Sequence, residues 1–468
     1  MFKSINYLNP EFQRNIWKQF SVHRLIAMPV ILAVIFYVAY SWHEDKLASL
    51  PNIATYLMLL LLVVWGTGLS VDAIFEEIQD HTWESQRMTP LGAWSMAWGK
   101  LFGTTAYVWY GALFCSLIFF MAHGGLGTQS LSQTLFAYFN CILASIGAIS
   151  FSFFCALLVQ RISPLRSRAR VTFIQLFAIF VGLGVYFFAA SSLFQSLYAE
   201  HSWYHLNLPY AMFIILSYVF VIILLWLGIY RLLRVELQVK TAPWFWPLAV
   251  ILWVVYCWGY VYLPKKMLVL GFEAPPSMIN AIYWGVAFLI ILNLTFLAAF
   301  FAPKNMIHIY RWVTHKTFNL TPAWILSGLL GLIILIPLVY EVQAASSFEG
   351  KKINVMLIGF FISMFLFLLR DIGILYFLCW NPKAKRAHLA TIVYLILLYA
   401  FVPTFLSLVG LPNYWLPALY PGAWFTQISP SFSQVINICL ILIFQIAIVK
   451  YGVWLRWKRA TSEVMCYH

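Results

Sequence analysis

The chain has 468 residues, of which 63% are hydrophobic and 9% are charged, and its formal net charge is +14. About a quarter of the residues in a soluble globular domain are charged, so this composition excludes an ordinary soluble protein. The basic residues lie in short segments between long apolar runs, which is how membrane topology is set, so the positive charge does not indicate nucleic-acid binding.

The first predicted element is a short amphipathic helix within residues 1–23. Asn9, Pro10 and Glu11 are typical of an N-cap, a proline at the first helical position and an acid in the first turn. Apolar residues then recur at four-residue spacing. Because the segment is too short to cross a bilayer, we expect it to lie on the cytoplasmic membrane surface.

Twelve apolar runs follow, each long enough to cross about 30 Å of hydrocarbon as a helix. The runs are 24–41, 53–75, 101–122, 135–159, 171–190, 209–230, 244–263, 278–301, 323–340, 353–379, 388–410 and 433–455. They predict an all-α polytopic membrane protein with about twelve transmembrane helices. Most of the 29 Lys and Arg residues fall on the side of the N-terminus, so the positive-inside rule predicts that both termini are cytoplasmic.

Twelve runs suggest two halves of six helices. One offset places Trp83 on Trp312 and also Gly99 on Gly328, but such identities are common among membrane residues, so the 6+6 repeat stays an open alternative to a single array. The predicted domains are a surface helix at 1–23, a first six-helix half at 24–240 and a second, diverged half at 241–468.

The connection after the second run is the least apolar part of the first half. Glu76, Asp80 and Glu84 are four residues apart, which predicts one acidic helix face, and Glu77 lies beside them. These carboxylates cannot sit in hydrocarbon. A threonine–proline pair then ends the helix. The segment is predicted to lie against the membrane and to face water or another protein.

This connection resembles the corresponding loop in the permease subunits of ABC-2 type, or type V, exporters. In that family the loop reads approximately E-x-G-T-L-E-x-L-x-x-T-P-L, and G-K follows where the third span begins. The matching residues here are Thr82, Trp83, Glu84, Arg87, Thr89, Pro90, Leu91, Gly99 and Lys100. His81 stands where glycine is usual, and Trp83 stands where leucine is usual.

The resemblance implies that residues 76–90 form a coupling helix that docks on a separate ATPase subunit. The implied docking residues are Glu76, Glu77, Asp80, Glu84, Arg87, Thr89 and Pro90, and Gly99 and Lys100 would mark re-entry into the membrane. An acidic interfacial loop without a partner is the alternative. The resemblance also places small re-entrant helices at 191–208 and 411–432, where an interfacial belt of aromatic residues is the alternative.

No catalytic motif occurs in the sequence. A G-x-x-x-x-G-K-[ST] loop is absent, so we expect ATP and its magnesium ion to bind a partner ATPase, and we predict neither enzymatic activity nor a cofactor for this chain. The seven cysteines have no metal-ligand spacing. Glu200, His201 and His205, near one external surface, leave open an enzyme of the lipid or cell wall.

The sequence thus predicts the permease of an ABC-type exporter, in a bacterial cytoplasmic (inner) membrane. The expected partners are an ATPase, membrane lipids and a second permease copy or subunit. A twelve-span secondary carrier and a non-transporting membrane scaffold or assembly factor remain alternatives. Few ionisable residues lie within the runs, which argues against a carrier, and the Arg370–Asp371 pair is expected near the inner end of its run.

Overall fold

A computed structural model describes most of the chain. The described residues are 9–42, 50–88, 91–126, 131–162, 168–191, 200–204, 206–239, 245–260, 268–269, 272–273, 276–302, 309, 312, 314, 321–344, 351–381, 387–408, 413–426 and 431–465. Within them the chain is an all-α polytopic membrane protein, with eleven helices long and apolar enough to cross a membrane.

The predicted seventh run, 244–263, is the exception to the predicted count of twelve. It forms the helix Phe245–Tyr260, which has 16 residues. At 1.5 Å per residue this helix is about 24 Å long, which is less than the thickness of the hydrocarbon layer. The described residues therefore contain eleven helices of spanning length and one shorter apolar helix.

The chain forms two compact units. Unit 1 consists of Met1–His201 and Leu206–Thr241, and unit 2 consists of Ser202–His205 and Ala242–His468. The main division, between Thr241 and Ala242, lies one residue from the boundary that we predicted between the two halves.

Unit 1 contains nine helices among its described residues. They are α1 (Pro10–Gln19), α2 (Val22–Trp42), α3 (Leu50–Leu59), α4 (Gly66–Gln79), α5 (Trp83–Arg87), α6 (Ala93–Leu126), α7 (Leu131–Ile162), α8 (Arg168–Ser191) and α9 (Tyr210–Glu236). A π-helical turn, Leu60–Trp65, joins α3 and α4 into one span. The strands β1 (Glu200–Trp203) and β2 (Leu206–Pro209) form a two-stranded sheet before α9.

Unit 2 also consists of helices packed side by side. They are α10 (Phe245–Tyr260), α11 (Pro276–Phe301), α12 (Ala323–Ala344), α13 (Lys351–Cys379), α14 (Ala387–Ile396), α15 (Val402–Leu408) and α16 (Phe432–Met465). A π-helical turn, Leu397–Phe401, joins α14 to α15. The strands β3 (Leu268–Val269) and β4 (Phe272–Glu273) pair in an antiparallel manner.

The two units share one internal order of neighbouring helices. In unit 1, α4 packs on α6 and α7, and α7 packs on α8 and α9. In unit 2, α11 packs on α12 and α13, and α13 packs on α14 and α16. In chain order within the units, α4 corresponds to α11, α6 to α12, α7 to α13, α8 to α14 and α9 to α16. A 6+6 repeat would give these shared neighbours, but the packing of α4 on α8 and of α6 on α9 has no counterpart of similar extent among the described residues of unit 2.

Two 3-10 helices, Asn413–Ala418 and Pro421–Thr426, precede α16 and pack on α13 and α16. The side chain of Trp424 is fully buried, and its Nε1 donates to Oγ of Ser363 at 2.9 Å. A Cβ at Gly359 would lie 2.6 Å from the indole ring, so the helix needs glycine there for Trp424 to approach. Trp424 is therefore a core residue of unit 2 and not part of an interfacial belt.

Candidate functional site

Helix α1 begins where the sequence predicts, and the face that it buries carries polar as well as apolar side chains. Oδ1 of Asn9 accepts a hydrogen bond from the N–H of Glu11 at 3.1 Å, and Pro10 occupies the first turn. The helix packs on α6, and its most buried side chains are the polar residues Glu11 and Asn15, whereas Trp17 is 67% exposed. Helix α1 therefore packs on α6 through Phe12 and, directly after the helix, Phe20, as the apolar spacing predicts, and also through Glu11 and Asn15, which that spacing did not indicate.

Two glycines of α6 allow α1 to approach closely. A Cβ at Gly99 would lie 2.8 Å from Cβ of Glu11 and 2.9 Å from the backbone nitrogen of Phe12. A Cβ at Gly103 would lie 2.8 Å from Cβ of Asn15. Because part of the obstacle at Gly99 is backbone, a side chain there would push α1 away from α6.

Lys100 follows Gly99 on α6 and is fully buried. Its ammonium group contacts both carboxylate oxygens of Glu77, donates to Oε1 of Gln86 at 2.8 Å and lies 3.1 Å from Oε1 of Glu11. Nη2 of Arg14 lies 2.8 Å from Oε1 of Glu11 and also contacts Glu77. We call Glu11, Arg14, Glu77, Gln86 and Lys100 the junction cluster.

The junction cluster contains two carboxylates and two cations, so its formal charges cancel. The amide of Gln86 completes it by donating from Nε2 to Oε1 of Glu77 at 2.8 Å. Glu11, Glu77 and Lys100 are buried and each is paired with an opposite charge, which makes their burial tolerable, whereas Arg14 is partly exposed. Helices α1, α4, α5 and α6 each contribute at least one member, so the cluster ties four elements together.

The segment between α4 and α6 is not the single acidic helix that we predicted. Helix α4 ends at Gln79, and α5 begins at Trp83, so Glu76, Asp80 and Glu84 do not share one continuous helix face. All three acids are exposed. The prediction was wrong because four-residue spacing indicates a shared face only while the helix continues.

The break between α4 and α5 is a Schellman motif, the usual helix ending with a left-handed residue. The N–H of Thr82 donates to the carbonyl of Glu77 at 2.9 Å, and the N–H of His81 donates to that of Ile78 at 3.4 Å. His81 has φ = 57°, in the left-handed region that favours glycine. This is the position at which the resembled loop has glycine.

The left-handed backbone at His81 gives a direct prediction. His81→Gly should raise the free energy of unfolding by about 1 kcal/mol, because glycine adopts this conformation without a steric cost. The matched control is Ser85→Gly inside α5, which should lower stability by about 0.5–1 kcal/mol. Thermal unfolding of both variants checks the prediction, and a destabilised His81→Gly protein would contradict it.

Helix α5 is anchored on one side and exposed on the other. Trp83 is 4% exposed, and the ammonium nitrogen of Lys100 lies 5.6 Å from the centre of its ring, within the range of a cation–π interaction. Glu84 and Ser85 face outwards, and Met88, directly after the helix, is 89% exposed. Helix α5 is therefore held against the protein on the side of Trp83 and is accessible on the side of Glu84 and Ser85.

The residues predicted to dock an ATPase therefore do not all lie on an exposed surface. Glu77 is buried in the junction cluster, so in this conformation its carboxylate is not offered to another protein. The side chain of Arg87, together with Thr89 and Pro90, lies outside the described residues.

Gly99 and Lys100, which were predicted to mark re-entry into the membrane, do not lie at the start of a helix. Helix α6 begins at Ala93, so Gly99 and Lys100 lie inside it and not at its start. Gly99 accommodates α1, and Lys100 neutralises carboxylates. The sequence indicated neither of these contacts.

A second buried ion pair lies in unit 2. Arg370 and Asp371 on α13 are 3% and 7% exposed, and Nη1 of Arg370 donates to Oε1 of Gln445 at 3.0 Å. Gln445 lies midway along the candidate span Phe432–Arg459. The pair is therefore buried inside unit 2, and the argument from scarce buried charge is weaker than the sequence suggested.

Other candidate chemistry is not assembled among the described residues. No group of three His, Cys, Asp or Glu side chains in that part of the chain could hold a metal ion. Glu200 and His201 lie in β1, whereas His205 lies outside the described residues. In comparisons with known proteins, no family model, no curated protein and no solved structure matches this chain.

Proposed function

We propose that the chain is the membrane-spanning permease subunit of an ABC-type exporter and that a separately encoded ATPase subunit drives it. The observation that carries the proposal is the position of α5. Its buried side is fixed by Trp83 and Gln86, and its opposite side exposes Glu84. Asp80, which precedes the helix, is exposed as well. A short helix placed in this way can receive a push from a second protein and pass it to the spans.

The junction cluster supplies the path for that push. Gln86 on α5 is hydrogen-bonded to Glu77 on α4 and to Lys100 on α6. A displacement of α5 must therefore move α4 and α6 or break hydrogen bonds to buried charged groups, which are costly to leave unmade. Helix α1 is coupled to the same movement through Glu11 and Arg14.

The span that contains α4 also has a place where it can change shape. The π-helical turn Leu60–Trp65 interrupts its regular hydrogen bonding. Such turns are frequent at functional sites and mark a local departure from α-helical geometry. In the proposed mechanism both termini are cytoplasmic, the ATPase pushes on α5, and the first six spans repack to open an outward path.

A secondary carrier is the second candidate, and one observation favours it. Carriers use ionisable side chains buried within their spans, and Arg370 and Asp371 are such a buried pair in unit 2. The junction cluster gives no equivalent support to a carrier, because its acids are neutralised and tie α1 and α5 to the bundle.

The test of the exporter is a pull-down of the full-length, tagged protein from its host in mild detergent. Wild type should bring down an ATPase, and Glu84→Lys combined with Arg87→Glu should reduce the recovered ATPase at least roughly tenfold, because like charges across an interface cost several kcal/mol. Mass spectrometry of the eluates identifies and quantifies the partner.

Two controls separate docking from folding. Glu84→Gln removes the charge without reversing it and should give an intermediate loss. Glu341→Lys makes the same charge change on α12 in unit 2 and should leave recovery unchanged. Size-exclusion profiles verify that each variant is folded. If wild type brings down no ATPase, the proposal fails, and the carrier or the scaffold becomes the better account.

A further inference from the structure

Helices α7 and α9 run side by side in the same direction. The Oη of Tyr218 donates to Oδ1 of Asn140 at 2.7 Å, and further along both helices Nε1 of Trp226 donates to Oγ of Ser150 at 2.9 Å. The ring of Trp226 also packs on that of Trp94, in the first turn of α6, with ring centres 5.6 Å apart. Helices α7 and α9 therefore both end at the end of unit 1 where α6 begins.

Two arginines meet in the last two turns of these helices. A Cβ at Gly228 of α9 would lie 2.8 Å from Cε2 of Phe154, so α9 packs directly on this ring of α7. Arg161 is seven residues after Phe154, which places it on the same face of α7, two turns further along. Arg231 is three residues after Gly228, one turn further along α9. The positive charges of Arg161 and Arg231 are close enough to repel each other, and we call these two residues the arginine pair.

No carboxylate of the described chain neutralises the arginine pair directly. Neither guanidinium group makes a hydrogen bond or an ion pair with a described residue. Glu236, at the end of α9, attracts Arg161 from beyond ion-pair distance. The acids of the junction cluster are neutralised within it, and Asp72 pairs with Arg168 at 2.8 Å. Because both members of the arginine pair are partly buried, their like charges are costly without a counter-ion.

Aromatic side chains indicate that the arginine pair lies at the surface of the bilayer. Trp94 is 50% exposed, and its ring packs on that of Tyr230 with ring centres 6.1 Å apart. Tryptophan and tyrosine are enriched at the depth of the lipid headgroups. Arg161 is the last residue of its candidate span, and Arg231 lies within the last two turns of its own. The anion closest to the arginine pair is therefore the phosphate of a lipid at the same depth.

We propose that Arg161 and Arg231 form a binding site for the phosphate group of an anionic phospholipid, in the leaflet at this end of unit 1. Phosphate suits the pair because each guanidinium group can donate two parallel hydrogen bonds to its oxygens. A zwitterionic phospholipid is a poorer ligand, since its own ammonium group offsets the charge of its phosphate. The bound lipid cancels the repulsion between the two arginines and so holds the ends of α7 and α9 together. Binding requires no ATPase, so the pull-down and the experiment below test separate statements.

The experiment adds dioctanoyl phosphatidylglycerol, which is anionic, to the purified full-length protein after removal of lipid in dodecyl maltoside. Dioctanoyl phosphatidylcholine has the same chains and a zwitterionic headgroup, and it is the matched comparison. Isothermal titration and the shift in Tm measure binding. We expect wild type to prefer the anionic lipid by roughly 10- to 30-fold, because each arginine near an anionic headgroup contributes to affinity. Inorganic phosphate tests a free anion, and if it binds as tightly as the anionic lipid, the lipid assignment is overturned.

A pair of double variants tests whether the preference comes from these two arginines. Arg161→Gln/Arg231→Gln should bring the preference for the anionic lipid to within about threefold of none. Lys18→Gln/Arg24→Gln removes two exposed positive charges from α1 and the start of α2, and it should keep the wild-type preference. The comparison separates a local site from a general attraction between the anionic lipid and a basic protein.

The single variant Arg231→Gln separates a ligand site from a structural role. In lipid-free detergent it should raise Tm by about 2–4 °C, because it removes a partly buried charge that Arg161 repels. Addition of the anionic lipid should raise Tm of wild type clearly more than that of the variant. A charge that served the fold would give the opposite sign, with a lower Tm in lipid-free detergent.

Three results would overturn the proposal. The first is a wild-type protein that binds the anionic and the zwitterionic lipid equally. The second is a folded Arg161→Gln/Arg231→Gln protein that keeps the wild-type preference. The third is an Arg231→Gln protein that is less stable than wild type without lipid and gains as much as wild type from the anionic lipid.

Discussion

Replacing Lys100 by methionine is expected to lower the free energy of unfolding by about 3–5 kcal/mol. Methionine has a similar length and no charge, so the main loss is electrostatic. Without Lys100 the buried carboxylates of Glu11 and Glu77 share a single cation, Arg14, and one negative charge remains uncompensated. Thermal or denaturant unfolding in detergent measures the loss.

A second substitution should reverse most of that loss. In Lys100→Met/Glu77→Gln the cluster again contains one acid and one base, so we expect stability to return to within about 1–2 kcal/mol of wild type. Lys18→Met is the matched control, because Lys18 is an exposed lysine of α1. If Lys100→Met unfolds as wild type does, or if the double variant is no better than the single one, the cluster does not hold α1, α4, α5 and α6 together.

Trp424→Ala is expected to lower the free energy of unfolding by about 3–5 kcal/mol, which is the second of the two large effects. The indole ring is fully buried against Gly359, and its removal leaves a cavity in unit 2 that the short 3-10 helix cannot fill. The hydrogen bond to Ser363 is lost as well. The decrease in Tm of the full-length protein is the measurement.

Two milder variants divide the effect of Trp424 into its parts. Trp424→Phe keeps an aromatic ring but loses the indole N–H donor. It should therefore lower the free energy of unfolding clearly less than Trp424→Ala does. Ser363→Ala removes the acceptor and leaves the indole N–H unpaired, at about 1–3 kcal/mol. A Trp424→Ala protein as stable as wild type would show that the 3-10 helices do not pack as described.

Local signals in the sequence identified several elements correctly. The cap formed by Asn9, Pro10 and Glu11 begins α1 where predicted. The apolar runs found the spans, because a helix in hydrocarbon must be apolar over most of its length. The run 24–41 corresponds to Val22–Trp42, and the run 388–410 corresponds to the span that begins at Ala387.

Contacts between distant residues could not be predicted in this way. Glu77 and Lys100 belong to different helices, and no periodicity within either helix indicates that they meet. The helix break at His81 was missed because the four-residue spacing of the acids favoured a continuous helix, although the resembled loop has glycine at this position. The neighbours of Arg370 could not be predicted either, since distance along one helix does not say which part of another helix it faces.

The junction cluster also has a consequence for the membrane insertion of the growing chain. Its members lie between Glu11 and Lys100, within the first quarter of the sequence, and its charges are balanced without unit 2. Glu77 lies near the end of one span and Lys100 lies inside the next, so the two charges are costly to bury until their salt bridge forms. Membrane insertion of these two spans as a helical hairpin, paired before release from the translocon, would spare the nascent chain both penalties.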